Sequence, residues 1–129
     1  MTAQSQPGPE QRQLDLGVLV PDWLDWSEVA EALGVPVSRV GRLVKEHQLA
    51  AAAPTPGAAL RVPAAFLQDG AIVKGLSGLI TVLHDAGFDD VAILTWVFTE
   101  DPTLPGRPID ALRENRGSEV KRRAQAMAF

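Results

Sequence analysis

Residues 27–51 read SEVAEALGVPVSRVGRLVKEHQLAA, and the fold turns on how this stretch is read. It divides into two short helices around Gly34-Val35-Pro36. Asp25 with Glu28 three residues later makes a capping box, Asp standing where Ser or Thr is usual. Trp26, Val29, Ala30 and Leu33 follow at i, i+3, i+4 and i+7, which gives one apolar helical face. Gly34 suits the position just past the helix end, where positive φ is tolerated. Pro36 suits the first turn of a second helix, where its missing N–H is no loss. In that helix Val37, Val40, Leu43 and Val44 form the expected buried stripe, with Ser38, Arg39, Arg42, Lys45 and Glu46 around the other side. Gly41 lowers helix propensity by about 1 kcal/mol relative to alanine, which points to close packing there. Helix, tight turn with glycine, helix is the helix-turn-helix arrangement.

The next stretch, LAAAAPTPGAALRV, places two short runs on either side of Pro54-Thr55-Pro56-Gly57. Pro56 and Gly57 fit the two central positions of a type II turn. The spacing predicts a β-hairpin pairing Leu49–Ala53 with Ala59–Val62, although alanine is a poor strand former. A hairpin directly after the second helix is the wing of a winged helix-turn-helix. Thr55 at its tip and Arg61 on its return strand are then candidates for contact with a phosphate backbone.

Outward from this centre the chain reads as mostly helical. Residues 1–13, rich in Gln, Pro, Ser and Gly, are expected to form a disordered tail. The winged helix-turn-helix then spans 14–66 and a helical C-terminal unit spans 67–129, packed on the first. Pro63 opens a short predicted helix, PAAFLQD, ended by Gly70. A helix from Leu76 to Ala86 is closed by Gly87, with Leu79, Ile80, Leu83 and Ala86 at helical spacing. Asp89 caps DVAILTWVF, whose Val91, Leu94, Trp96, Val97 and Phe98 are mostly core. A Pro-rich loop, TEDPTLPGR, leads to a helix started by Pro108 and stopped by Gly117. Ser118 caps a last helix, EVKRRAQAMAF. The fold class is mainly α with one small β-hairpin.

Composition narrows the function. The chain has 129 residues, 46% hydrophobic and 22% charged, as expected of a soluble domain with a modest core. It has no cysteine, which removes disulfides, thiolate metal sites and a cysteine nucleophile together. Two histidines, His47 and His84, are too few for a His-rich metal site. The N-terminus lacks the basic start and apolar core of a signal peptide, and no apolar run approaches the roughly 20 residues of a membrane span. A cytoplasmic protein without membrane contact is expected.

The net charge of −4 is unevenly placed. Residues 1–33 carry −5 and residues 63–129 carry −2, whereas residues 34–62 carry +3 from Arg39, Arg42, Lys45 and Arg61 against Glu46. Three basic groups on a solvated helix face are ordinary when taken alone. The helix-turn-helix, the following hairpin and the local positive charge together favour contact with double-stranded DNA. Arg forks can read guanine O6 and N7, lysine more often meets phosphate, and Ser38 near the helix start can meet phosphate too. An acidic protein has little long-range attraction for DNA, so such binding should be local and steeply salt-sensitive.

Other candidates carry less. His84-Asp85 invites an acid–base or metal reading, but adjacent residues do not share a helix face, and a role at the end of a helix fits better. Trp23, Trp26 and Trp96 read as core or interface anchors rather than a base-stacking platform. Lys121, Arg122 and Arg123 either offset a helix C-terminus or extend the basic surface. No Gly-rich phosphate loop, nucleophile elbow or zinc spacing is present, so neither catalysis nor a metal or cofactor is expected.

The residues also carry a resemblance. WSEVAEALGVPVSRVGRLVKEHQLAA resembles the winged helix-turn-helix of excisionase-type regulators. The fuller set, EVAEALGVPVSRV, IVKGLSGLITVLHDAG, WVFTEDPTL, RPIDAL and EVKRRAQAMAF, resembles a small actinobacterial DNA-binding family known from a mycobacterial substrate of a membrane serine/threonine kinase. The likeness covers residues 24–129, and GLITVLHDAG with RRAQAMAF is its most specific part. It implies a cytosolic winged helix-turn-helix with a helical C-terminal region, DNA binding without enzymatic activity, and a serine/threonine kinase as a partner. Thr2 and Ser5 are the tail hydroxyls open to phosphorylation. A weaker resemblance links residues 98–127 to the toxin-binding segment of bacterial antitoxins, which implies an alternative: a module whose C-terminal segment binds a protein. A lone helix-turn-helix reads a short site, so a homodimer is a further expectation.

Overall fold

The computed structural model describes residues 16–127. The expected tail, with Thr2 and Ser5, lies outside the described residues. Helix α1 spans Trp26–Leu33. Its capping box is formed on both sides: Glu28 N–H donates to Asp25 Oδ1 at 2.8 Å, and Asp25 N–H to Glu28 Oε1 at 2.9 Å. Gly34, at φ 69°, ends the helix; its N–H donates to the Glu31 carbonyl and that of Val35 to the Ala30 carbonyl. This is a Schellman closure, which needs a residue tolerant of the left-handed region.

Helix α2 spans Val37–Lys45, with Pro36 extended just before it. Val40 and Leu43 enter the core against Val29 and Ala30 of α1. Val37, expected in the buried stripe, is instead 47% exposed. It lies about 60° from Val40 around the helix axis, on the side away from Leu43, so the core covers only part of the arc. A Cβ on Gly41 would meet Trp26 Nε1 at 3.4 Å, so this glycine does mark a close approach. The end of α2 repeats the Schellman pattern with His47 at φ 61°, its N–H donating to the Val44 carbonyl and that of Gln48 to the Leu43 carbonyl.

The wing is narrower than the sequence predicts. Ala52 and Arg61 exchange backbone hydrogen bonds of 3.1 and 2.9 Å, and no longer ladder joins the two runs. The return run instead continues into β2 (Val62–Pro63), which pairs antiparallel with β1 (Trp23–Leu24). Leu49–Ala53 is buried along its whole length rather than on alternate residues, so packing places it more than strand propensity does. The turn forms as expected, with Ala58 N–H donating to the Thr55 carbonyl at 3.1 Å and Gly57 at φ 85°.

The predicted helix PAAFLQD is corrected. Only Ala64–Phe66 is helical, as one 3₁₀ turn. The chain then makes a second hairpin, β3 (Leu67–Gln68) with β4 (Ala71–Ile72). Asp69 at φ 53° and Gly70 at φ 77° form its two-residue loop. Such a loop needs positive φ at both positions, and Asp-Gly supplies it.

Four helices complete the chain: α3 (Leu76–Asp85), α4 (Asp90–Phe98), α5 (Pro108–Arg113) and α6 (Gly117–Met127). Asp89 caps α4 through Ala92 N–H at 2.8 Å. Gly117, expected to stop α5, is the first residue of α6; Asn115 at φ 64° turns the chain after α5. Phe66, Leu79, Ile80, Leu83, Leu94, Val97, Phe98, Ile109, Leu112 and Val120 form one continuous core with Val29, Val40, Leu49 and Val62.

Polar ties reinforce that shared core. Ser77 Oγ donates to the Gln48 carbonyl at 2.8 Å, and Asp90 Oδ2 accepts from Ala51 N–H at 3.1 Å. Arg113 Nη1 donates to the Ala65 and Leu67 carbonyls at 2.8 and 2.9 Å. Arg113→Met keeps the apolar stem but leaves both carbonyls without their donor. It should lower unfolding free energy by about 1–3 kcal/mol in urea titration. At the start of α5, Arg107 grips Asp110 with two parallel hydrogen bonds of 2.9 and 2.8 Å. Those bonds hold the Asp110 carboxyl below its ordinary value of 3.8, so its stabilisation is complete above that value and is lost as pH falls through the lower, folded one. A melting-temperature series from pH 6 to pH 2 should therefore fall less steeply for Asp110→Asn. The pair is partly exposed, so the effect should stay within about 1 kcal/mol.

Candidate nucleic-acid interface

Because Val40 and Leu43 point inward, the opposite arc of α2 must point outward. At about 100° per residue, Ser38, Arg42 and Lys45 fall opposite the two buried side chains, and Arg39 falls on one flank. All four are exposed. Among the described residues, none of these side chains forms an ion pair or hydrogen bond. No carboxylate among the described residues forms an ion pair with them. Asp25 and Glu28 are tied to each other's backbone in the capping box, and Glu46 is the C-cap of α2.

Arg61 and Thr55 stand on the wing, also exposed. Arg61 is held through its backbone by Ala52, which leaves its guanidinium free among the described residues. Thr55 opens the turn through its carbonyl. The structure thus gathers Ser38, Arg39, Arg42 and Lys45 on one helix and puts Arg61 and Thr55 on a separate element. A rigid helix presents forked and point-charge donors, and the wing adds one more fork. That inventory suits phosphates and base edges.

The basic residues of the C-terminal unit behave differently. Arg116 Nη1 donates to the Leu104 carbonyl at 3.0 Å and its other nitrogens pair with Glu114. Arg123 donates to Thr103 Oγ1 at 2.8 Å and to the Thr103 carbonyl at 3.1 Å. Asp101 also accepts from Thr103, and its carboxyl is held low chiefly by that hydroxyl. Of Lys121, Arg122 and Arg123, then, only the first two face solvent. No sequence pattern foretells which backbone carbonyl a guanidinium will meet.

Two contacts at the junction also escape the sequence. His84 lies in the last turn of α3, as expected, and its ring stacks on that of His47 with centroids 3.5 Å apart. Asp90, which reads as a helix-start residue, also holds the chain just after α2. Trp23, Trp26 and Trp96 are half-buried against the core, and none pairs with another ring among the described residues. Among those residues no group of three or more His, Cys, Asp or Glu could hold a metal ion. No helix among them is long and apolar enough to cross a membrane.

Two stretches of the chain match known protein families. Residues 14–67 match the family described as "DNA-binding protein Rv2175c, wHTH domain", and residues 73–128 match "Rv2175c C-terminal domain of unknown function". The chain is 42% identical over 127 residues to the DNA-binding protein Rv2175c of Mycobacterium tuberculosis, covering 87% of this chain and 86% of that protein. The NMR structure of Rv2175c is similar with a TM-score of 0.75 at 40% identity, covering 84% of this chain and 82% of that one. The segment that resembles an antitoxin tail falls within the domain of unknown function, which assigns it no partner.

Side chains that hold nothing in place can be removed without unfolding the protein. Arg39→Ala, Arg42→Ala, Lys45→Ala and Arg61→Ala should each stay within about 0.5 kcal/mol of the parent in urea unfolding. Leu43→Ala, on the inward face of the same helix, should lose about 2–4 kcal/mol.

Proposed function

The chain belongs to the Rv2175c family of winged helix-turn-helix proteins, and we propose on that footing that it binds double-stranded DNA and regulates transcription. Helix α2 enters the major groove and the wing lies along the backbone. Arg39 and Arg42 meet base edges or phosphates. Lys45 and Ser38 meet phosphates, as do Arg61 and Thr55 from the wing. The observation that carries this reading is the set of four exposed cations within residues 39–61, without partners among the described residues, on a chain that is acidic elsewhere.

We take residues 14–66 as the DNA-contacting unit and residues 67–129 as the helical unit that supports it. Binding to bacterial chromosomal DNA places the protein's work in the cytoplasm. A single α2 spans few base pairs, so a homodimer across two half-sites is the form that would give useful specificity. Phosphorylation of Thr2 or Ser5 by a serine/threonine kinase would add negative charge to the already acidic N-terminal segment and oppose DNA binding.

Fluorescence anisotropy with random-sequence duplex DNA tests the reading. Binding should be saturable at low salt and weaken steeply as salt rises, with a log–log slope near −0.9 per neutralised phosphate. Arg39→Ala/Arg42→Ala should bind at least about tenfold more weakly, with a slope shallower by about one for each phosphate that either arginine neutralises in the parent protein. Flat anisotropy at low salt, with the helical circular dichroism spectrum intact, would sink direct DNA binding.

A further inference from the structure

Val37 is the first residue of α2, and nearly half of it is open to solvent. Among the described residues four large apolar side chains are exposed: Val18, Val37, Leu60 and Met127. Val18 and Met127 lie near or at the ends of the described chain. Leu60 lines a groove with Asp25, Trp26, Ser27 and Ala59. Val37 belongs neither to that groove nor to the partly buried side chains packed on the core. It stands beside the cationic arc of the helix instead. Val37, Gly41 and Lys45 are four residues apart and so form one row along the helix. That row presents the two methyl groups of Val37 and the ammonium group of Lys45, with Ser38 and Arg42 alongside and the Trp26 indole against Gly41 between them.

In the major groove only thymine offers a methyl group, at C5, and apolar side chains read it by contact. We propose that Val37 selects a thymine through that methyl. The proposal rests on the major-groove placement of α2 given above. The cations alongside supply affinity without much regard to sequence, whereas covering two apolar groups at once favours one base over cytosine, which lacks the methyl. Val37 is not part of the core, and nearly half of its surface stays in water until a partner covers it.

The test uses the full chain. Duplexes are first selected from a random pool. Each thymine in a selected duplex is then replaced singly by deoxyuridine, which deletes only the C5 methyl. At one position the replacement should weaken wild-type binding about three- to fivefold, the equivalent of one buried methyl. The same replacement should change binding by less than about 1.5-fold in Val37→Ala. Val37→Thr keeps the side-chain shape and one methyl and should give an intermediate effect, so the test does not depend on the alanine variant alone. The inference is overturned if deoxyuridine is silent at every position, if its effect persists undiminished in Val37→Ala, or if the selected duplexes share no thymine. In each of those cases the duplexes still bind and α2 keeps its role. If no duplex binds at all, the major-groove reading fails and this inference goes with it.

Discussion

Five consecutive residues, Leu49–Ala53, run buried through the centre of the protein, and a buried backbone must find partners for its polar groups. Each partner comes from a different place. Leu49 N–H reaches back to the Leu43 carbonyl in α2. Ala51 N–H meets Asp90 at the start of α4. Ala52 exchanges both of its bonds with Arg61 on the wing. The helix that carries the exposed cations, the wing and the C-terminal helices are therefore oriented by the needs of one short segment. Its alanines leave room for these elements to approach closely. A bulkier run would push them apart, and a polar one would lack the water it needs.

Around that centre the arginines have two uses. Arg113, Arg116 and Arg123 each donate to backbone carbonyls, which fixes loops between helices and uses up their hydrogen-bonding capacity inside the protein. Arg39, Arg42 and Arg61 have no such partners among the described residues. A guanidinium already satisfied by carbonyls has few donors left for a phosphate, whereas a solvated one keeps all five. Counting arginines along the chain overstates the basic surface for this reason. The contrast also explains how a chain of net charge −4 can present a positive face: charges within a few ångströms of a ligand matter more than those a Debye length away.

Much of the fold is legible where local chemistry forces a single answer. The Asp25–Glu28 box, Gly34 after α1, the Pro56-Gly57 turn and Asp89 before α4 are each specified within four residues, and each is found as expected. The residues expected on the outer face of α2 are exposed because Val40 and Leu43 fix the inner one. What is not legible depends on competition or distance. Asp69-Gly70 is a strong hairpin signal, but Ala64 and Ala65 just before it favour a helix, and the two signals compete over the same seven residues. Val37 has the residue type of a core position, while its place on the helix puts it at the edge of the packed face. The stacking of His47 on His84 joins residues 37 apart in sequence and leaves no mark in either local pattern.

These relations bear on what the C-terminal unit does. It holds Asp90, Ser77 and Arg113, whose partners Ala51, Gln48, Ala65 and Leu67 lie between the end of α2 and the first strand of the second hairpin, Leu67 being that strand's first residue. Phe66 and Val62, at the end of the wing, are wholly buried in the core that it shares. A chain ending near residue 66 would expose those side chains and leave Ala51 N–H without its acceptor. Position matters to recognition at the level of an ångström, because an arginine fork or a methyl contact no longer reaches its base when the helix tilts. On the proposed reading, the C-terminal unit is thus part of the DNA-facing apparatus even where it touches no DNA. It holds the end of α2 and the base of the wing in fixed relation, and any partner that bound it would act on both through the same few contacts.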